Sequence, residues 1–214
     1  MFTDRTEAGE RLGERLREAG IEADVVLAIP RGGLPVGRAV ADALGAPLDV
    51  AVASKLGAPH NPELAIGAVA GDGSLWLNDG MVERLGVDDA YVDSERESEA
   101  EVAREKVRDY RGGDPVPDVE GKRVVVVDDG VATGATAMAC LRMVREGGAS
   151  RVIFGAPVAP ASALSDLRTE ADEVVVVETP ENFTAVGAHY RTFGQVKDEE
   201  ALTYLESSER GRRP

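Results

Sequence analysis

Short apolar runs recur along this chain at strand length, and helix-period segments fill the gaps between them. Val25 to Ile29, Leu48 to Ala53, Arg151 to Ala156 and Glu173 to Val177 are predicted strands, and Val124 to Val127 is an unbroken valine run. Such runs suit strands buried on both faces of a parallel sheet. Helices are expected at Thr6 to Ala19, with Ala8, Leu12 and Leu16 on one face and a stop at Gly20. Others run from near Pro35 to Gly45, through Ala137, Met138, Leu141 and Val144, near Ala161 to Arg168, and over Asp198 to Glu206. Leu64 to Ala70 and Ser74 to Leu77 read as a hairpin closed by Gly71-Asp72-Gly73. Asp93 to Tyr110 is a charged helix in which only Val102 and Val107 call for burial. Arg111 to Glu120 is a connector, and Ser207 to Pro214 are expected to fray. The βαβα order predicts an α/β fold: a parallel central sheet with flanking helices, plus a small hairpin region, within one domain spanning residues 1–214. Ligands then belong at the carboxyl ends of the strands.

Two strand ends carry candidate chemistry. The valine run stops at Asp128 and Asp129, and a turn of small residues, Gly130 to Thr136, leads into a helix. Loop amides and the helix dipole would converge on one anion there, and Thr133 and Thr136 add hydroxyl donors. The two carboxylates cannot serve a phosphate directly, so they must meet hydroxyls, a metal or a cation. A ligand with both a phosphate and a diol fits. The second strand end reads Pro30-Arg31-Gly32-Gly33, where two glycines allow close backbone approach and Arg31 brings a fixed charge. A Walker loop is excluded by the lack of a Gly-Lys-Ser/Thr ending. A dinucleotide fingerprint is excluded because no Gly-x-Gly-x-x-Gly follows the strand.

The segment from Val124 to Thr136 resembles the phosphoribosyl diphosphate (PRPP) signature of the type I phosphoribosyltransferases. The resemblance implies that Asp128 and Asp129 hold the ribose hydroxyls and serve as the metal-facing pair, and that Val131, Ala132, Thr133, Gly134, Ala135 and Thr136 cradle the 5′-phosphate. It also implies that Arg31, Gly32 and Gly33 form the diphosphate loop, with a cis Pro30–Arg31 bond or one that switches with ligand. Lys55, after the second strand, would neutralise diphosphate beside Arg31. Phe2 to Gly9, Asn61 to Val69 and Tyr190 to Gly194 are similar to a little-characterised prokaryotic subgroup, which extends the likeness over most of the chain. The implied activity is phosphoribosyl transfer from PRPP to a nitrogen nucleophile, with Mg²⁺ and release of diphosphate. Arg31, Lys55, Asp128 and Asp129 would carry the reaction. Rival readings are a PRPP-binding regulatory protein and a phosphate-ester hydrolase. One departure stands out: where the hypoxanthine–guanine branch has a loop Asp, this chain has Ala132. That argues against a 6-oxopurine acceptor.

Composition narrows the partners. The chain has 39 acidic and 24 basic residues for a net charge of −15, and only four of the basic residues are lysines. Self-repulsion on that scale needs screening, which points either to a cytosol of high ionic strength, as in a halophile, or to a merely acidic protein. No basic stripe serves nucleic acid, and no apolar run reaches membrane-spanning length. A cytoplasmic protein acting on small molecules, with room for a homodimer, is the expectation. Cys140 reads as a buried small residue. His60 and His189 are too few to suggest a zinc site.

Overall fold

In the computed structural model, residues 1–111 and 117–210 are described. Five parallel strands make the main sheet: β1 (Val25–Ala28), β2 (Leu48–Val50), β6 (Arg123–Val127), β7 (Arg151–Val158) and β8 (Glu173–Glu178), in the order β2-β1-β6-β7-β8. The helices α1 (Arg5–Glu18) and α2 (Gly33–Leu44) cover one face, and α5 (Ala135–Glu146) and α6 (Ala161–Glu170) cover the other. The valines of β6 alternate between the two apolar layers: Val124 and Val126 pack with α5, Val125 and Val127 with α1 and α2. This is why their run lacks polar alternation.

A separate antiparallel sheet is built from β3 (Ala53–Ala58), β4 (Asn61–Ala70) and β5 (Leu75–Leu77), against which α4 (Asp89–Arg111) and α5 pack. It corresponds to the expected hairpin, with an additional strand. The predicted strand Leu48 to Ala53 is in fact two. β2 ends at Val50, and Ala53 already belongs to β3, because the chain leaves the parallel sheet to start the small one. Helix α3 (Asp79–Leu85), capped by the Asn78 side chain on Met81 N–H, was not legible as a separate element. In α4 the buried residues are Val92, Ala100, Ala103 and Val107. Val102 is only half-buried, since alanine at helical spacing supplies the packed face. Helix α7 (Asp198–Arg210) continues beyond Glu206, where fraying was expected. Residues 211–214 and 112–116, the latter within the predicted connector, lie outside the described residues. Among the described residues no helix is long and apolar enough to cross a membrane.

Candidate active site

Strands β1 and β6 run side by side, with Ala28 opposite Val127, so the loops that follow them are neighbours. The chain departs from this pair in opposite directions, to β2 on one side and to β7 and β8 on the other. A crevice at the carboxyl ends of the strands forms at such a switch point. Both loops feed helices whose first turns lack a side-chain cap. Gly32 precedes α2, and Gly134, at φ +83°, precedes α5. By contrast Asp4 caps α1, accepting from Glu7 N–H. Uncapped amides at two adjacent helix starts are suited to anions. The Pro30–Arg31 peptide bond is cis, as the resemblance implied.

Close approach explains the glycines here. A Cβ on Gly32 would run into the Asp129 carboxylate, and one on Gly33 would lie 3.0 Å from the Val127 carbonyl. The two loops therefore touch through the acidic pair. Asp128 Oδ1 accepts from the backbone N–H of Asp129 at 2.8 Å. Burial pushes the Asp128 carboxyl well above its ordinary range, and the neighbouring Asp129 charge adds to that. Burial also raises Asp129, against the opposing pull of Arg5.

Arg5 is the residue that sequence reasoning missed. Its Nε donates to Asp129 Oδ2 at 2.6 Å and its Nη1 to the Gly194 carbonyl at 2.8 Å. Its guanidinium lies 3.9 Å from the Phe193 ring centre. The two side chains of the ion pair are only 12% and 14% exposed. Tyr190 donates its hydroxyl to the Asp129 carbonyl at 2.6 Å, while Phe2 bridges to Tyr190. The segments Phe2 to Gly9 and Tyr190 to Gly194, quoted above without any role, thus meet on Asp129. Arg31 is held too: its Nη1 donates to Asp198 Oδ2 at 3.1 Å, and the Tyr110 hydroxyl donates to the other oxygen of that carboxylate at 3.0 Å.

Together these groups bound a cleft of about 360 Å³, lined by Arg5, Ile29, Pro30, Arg31, Gly32, Asp128, Asp129, Thr136, Phe193, Gln195 and Val196. Of the expected site residues, Arg31, Gly32, Asp128, Asp129 and Thr136 line it. Gly33 lies behind Asp128 at the start of α2. Val131 in the loop and Ala135 at the start of α5 are buried, and Ala132 and Thr133 face solvent beside Gly134. Lys55 stands half-buried on β3 in the small sheet, outside the cleft lining. Among the described residues no three acidic, histidine or cysteine side chains gather as a metal cage.

A family model described as the phosphoribosyl transferase domain matches residues 5–191, a span that includes both Arg5 and Tyr190. The chain belongs to this family. Phosphoribosyl transferase-domain relatives from two Mycobacterium tuberculosis strains, both named provisionally as phosphoribosyl transferases, are 44% identical over 211 residues, covering 98% of this chain and 47% of theirs. The chain thus spans about half the length of the curated relatives it matches. Among solved structures, TT1426 from Thermus thermophilus superposes with a TM-score of 0.82 at 43% identity, covering 96% of this chain and 98% of that one. A Neisseria gonorrhoeae protein solved with bound ppGpp shares the fold, with a TM-score of 0.51 at 14% identity over 97% of this chain and 98% of that one.

Proposed function

We propose that this phosphoribosyl transferase domain transfers the phosphoribosyl group of PRPP to a nitrogen nucleophile, releasing diphosphate. The observation that carries the reading is the meeting, at one switch point, of two uncapped helix starts and an acidic pair. In this reading the loop Val131 to Thr136 binds the 5′-phosphate at the start of α5. Asp128 and Asp129 accept the ribose 2′- and 3′-hydroxyls. The Arg31-Gly32-Gly33 loop takes the diphosphate, with Lys55 reaching it from the small sheet. Attack forms a carbon–nitrogen bond at the anomeric carbon and breaks its bond to diphosphate oxygen, through an oxocarbenium-like transition state. The protein contributes orientation and a fixed field rather than covalent chemistry.

Two partner exchanges follow from the geometry. A ribose hydroxyl on Asp129 Oδ2 competes with Arg5 for that oxygen, and diphosphate competes with Asp198 for the Arg31 guanidinium. Phe193 and Gln195 line the same cleft. Asp128 and Asp129 would hold Mg²⁺, whose preference for hard oxygen ligands their carboxylates match. When bound, the ion would supply charge neutralisation for the leaving diphosphate.

The test is to incubate the protein with PRPP, Mg²⁺ and a panel of nitrogen heterocycles and amines while following diphosphate release. Acceptor-dependent release supports transfer. PRPP binding without turnover would instead indicate a regulatory protein, and inorganic phosphate released without acceptor a hydrolase.

A further inference from the structure

The two edges of the main sheet are finished differently. At β2 the strand is short, and its central Asp49 accepts from Val50 N–H at 2.8 Å and from Arg111 Nε at 3.0 Å, while α7 packs alongside. Short, charged, covered edges resist pairing with other strands. At the opposite edge β8 reads Glu-Val-Val-Val-Val-Glu, without proline, lysine or bulge, and among the described residues no strand pairs with its outer side. A groove of about 480 Å³ runs along that side. Arg15 and Glu18 of α1 form one bank, Leu164 and Arg168 of α6 the other, and Val174 to Val176 the floor.

The hydrogen bonds to β7 fix which backbone groups face the groove. Asp128 donates its N–H to the Gly155 carbonyl, so odd-numbered β7 residues face β6 and Val152, Phe154 and Ala156 face β8. With Val174 opposite Phe154 and Val176 opposite Ala156, it is Glu173, Val175 and Val177 that bond to β7. Alternation turns the N–H and C=O groups of Val174 and Val176 outward. These are the groups an antiparallel neighbour would pair with.

We propose that the outer edge of β8 is a self-association seam, through which two copies of this chain pair antiparallel about Val175 into one continuous sheet. With the twofold axis there, Val175 faces Val175 of the partner subunit and Glu173 faces the partner's Val177, so no glutamate lies opposite another. The strand ends are already charge-compensated: Glu173 by Arg151 at 2.8 Å, and Glu178 by Arg11 at 3.1 Å and the N-terminal amine at 3.2 Å. Because Arg11 sits at the Glu178 end of the strand, Arg15, one turn further along α1, lies toward the Glu173 end. Arg168, close to the end of α6, lies there as well. Antiparallel pairing brings the partner's Glu178 to this pair of arginines. The choice of a second copy over a foreign strand rests on that charge match and on the self-complementary register. The seam leaves the cleft at β1 and β6 open.

Sedimentation velocity on the full chain in molar KCl, over a wide concentration range, tests the proposal, together with hydrogen exchange of the peptide spanning residues 171–180. The expected result is a species of twice the 22.6 kDa chain mass. Protection at Val174 and Val176 should fall away on dilution. The double variant Arg15→Glu/Arg168→Glu, at two exposed positions, should raise the dissociation constant at least ~tenfold, equivalent to about 1.4 kcal/mol. Val176→Pro removes an N–H that β7 does not use and should abolish pairing. If that variant misfolds, the arginine variant and the exchange data still decide. A monomer at every concentration overturns the seam, as does a dimer whose β8 amides exchange freely or whose constant the arginine variant leaves unchanged.

Discussion

Replacing Arg5 by Met removes the cation bonded to Asp129 while roughly preserving side-chain bulk. The ion pair is short, at 2.6 Å, and both side chains are less than one-sixth exposed, so solvent screening is weak. Removing one partner of such a pair strands a carboxylate beside a second one, Asp128, and costs ~3–5 kcal/mol in buried settings. Both residues line the open cleft rather than the core, which argues for the lower end, about 3 kcal/mol. Loss of the Phe193 contact and of the bond to Gly194 adds about 1 kcal/mol. For a chain of this length the melting temperature should fall by roughly 10 °C.

The cost should also depend on pH, in a definite direction. Burial already holds the Asp129 carboxyl above its ordinary range with Arg5 lowering it. Without Arg5 it rises further. A carboxylate whose folded value is raised destabilises the native state while ionised, and that penalty is relieved as pH falls through the raised value. The gap between wild type and Arg5→Met should therefore be widest at alkaline pH and narrow under mildly acid conditions. Urea unfolding at constant KCl measures it. Arg5→Met/Asp129→Asn should be less destabilised than Arg5→Met alone, since no ionised group is left stranded. A single variant within about 0.5 kcal/mol of wild type, or strictly additive losses, would refute the reasoning.

Further outcomes follow from the same site and from the surface. Gly32→Ala keeps an accessible backbone conformation, at φ −59°, but drives a methyl into the Asp129 carboxylate. It should lower stability by ~1–3 kcal/mol and weaken PRPP binding by calorimetry, and unchanged binding would refute the close approach. Asp128→Asn should act in opposite directions. Binding of PRPP should weaken by roughly 1–3 kcal/mol, while stability at neutral pH holds or rises, because burial disfavours the native charge. Melting temperature should climb from dilute to molar KCl if the net charge of −15 is a high-salt adaptation, and a flat curve would leave the protein merely acidic.

Some of this molecule is written in neighbouring residues. The valine run before Asp128 marks a strand buried on both faces, and Gly20 and Gly45 mark helix ends because they take positive φ. The acidic pair and the Arg31-Gly32-Gly33 turn announce themselves as ligand-facing because polar and small residues interrupt apolar periodicity at strand ends. Other features have no local signature. Arg5 and Asp129 are 124 positions apart, and nothing about an arginine in the first turn of a helix says which carboxylate it will meet. The partition of Leu48 to Ala53 between two sheets is equally hidden, since both halves are apolar and only the tertiary path turns the chain. Whether the valines of β8 lie inside a sheet or at its edge is likewise decided by strand order. Periodicity records which face of an element is buried. Which charges are brought together, and which edges are left open, depends on contacts between segments far apart in the chain, and only the folded topology creates those.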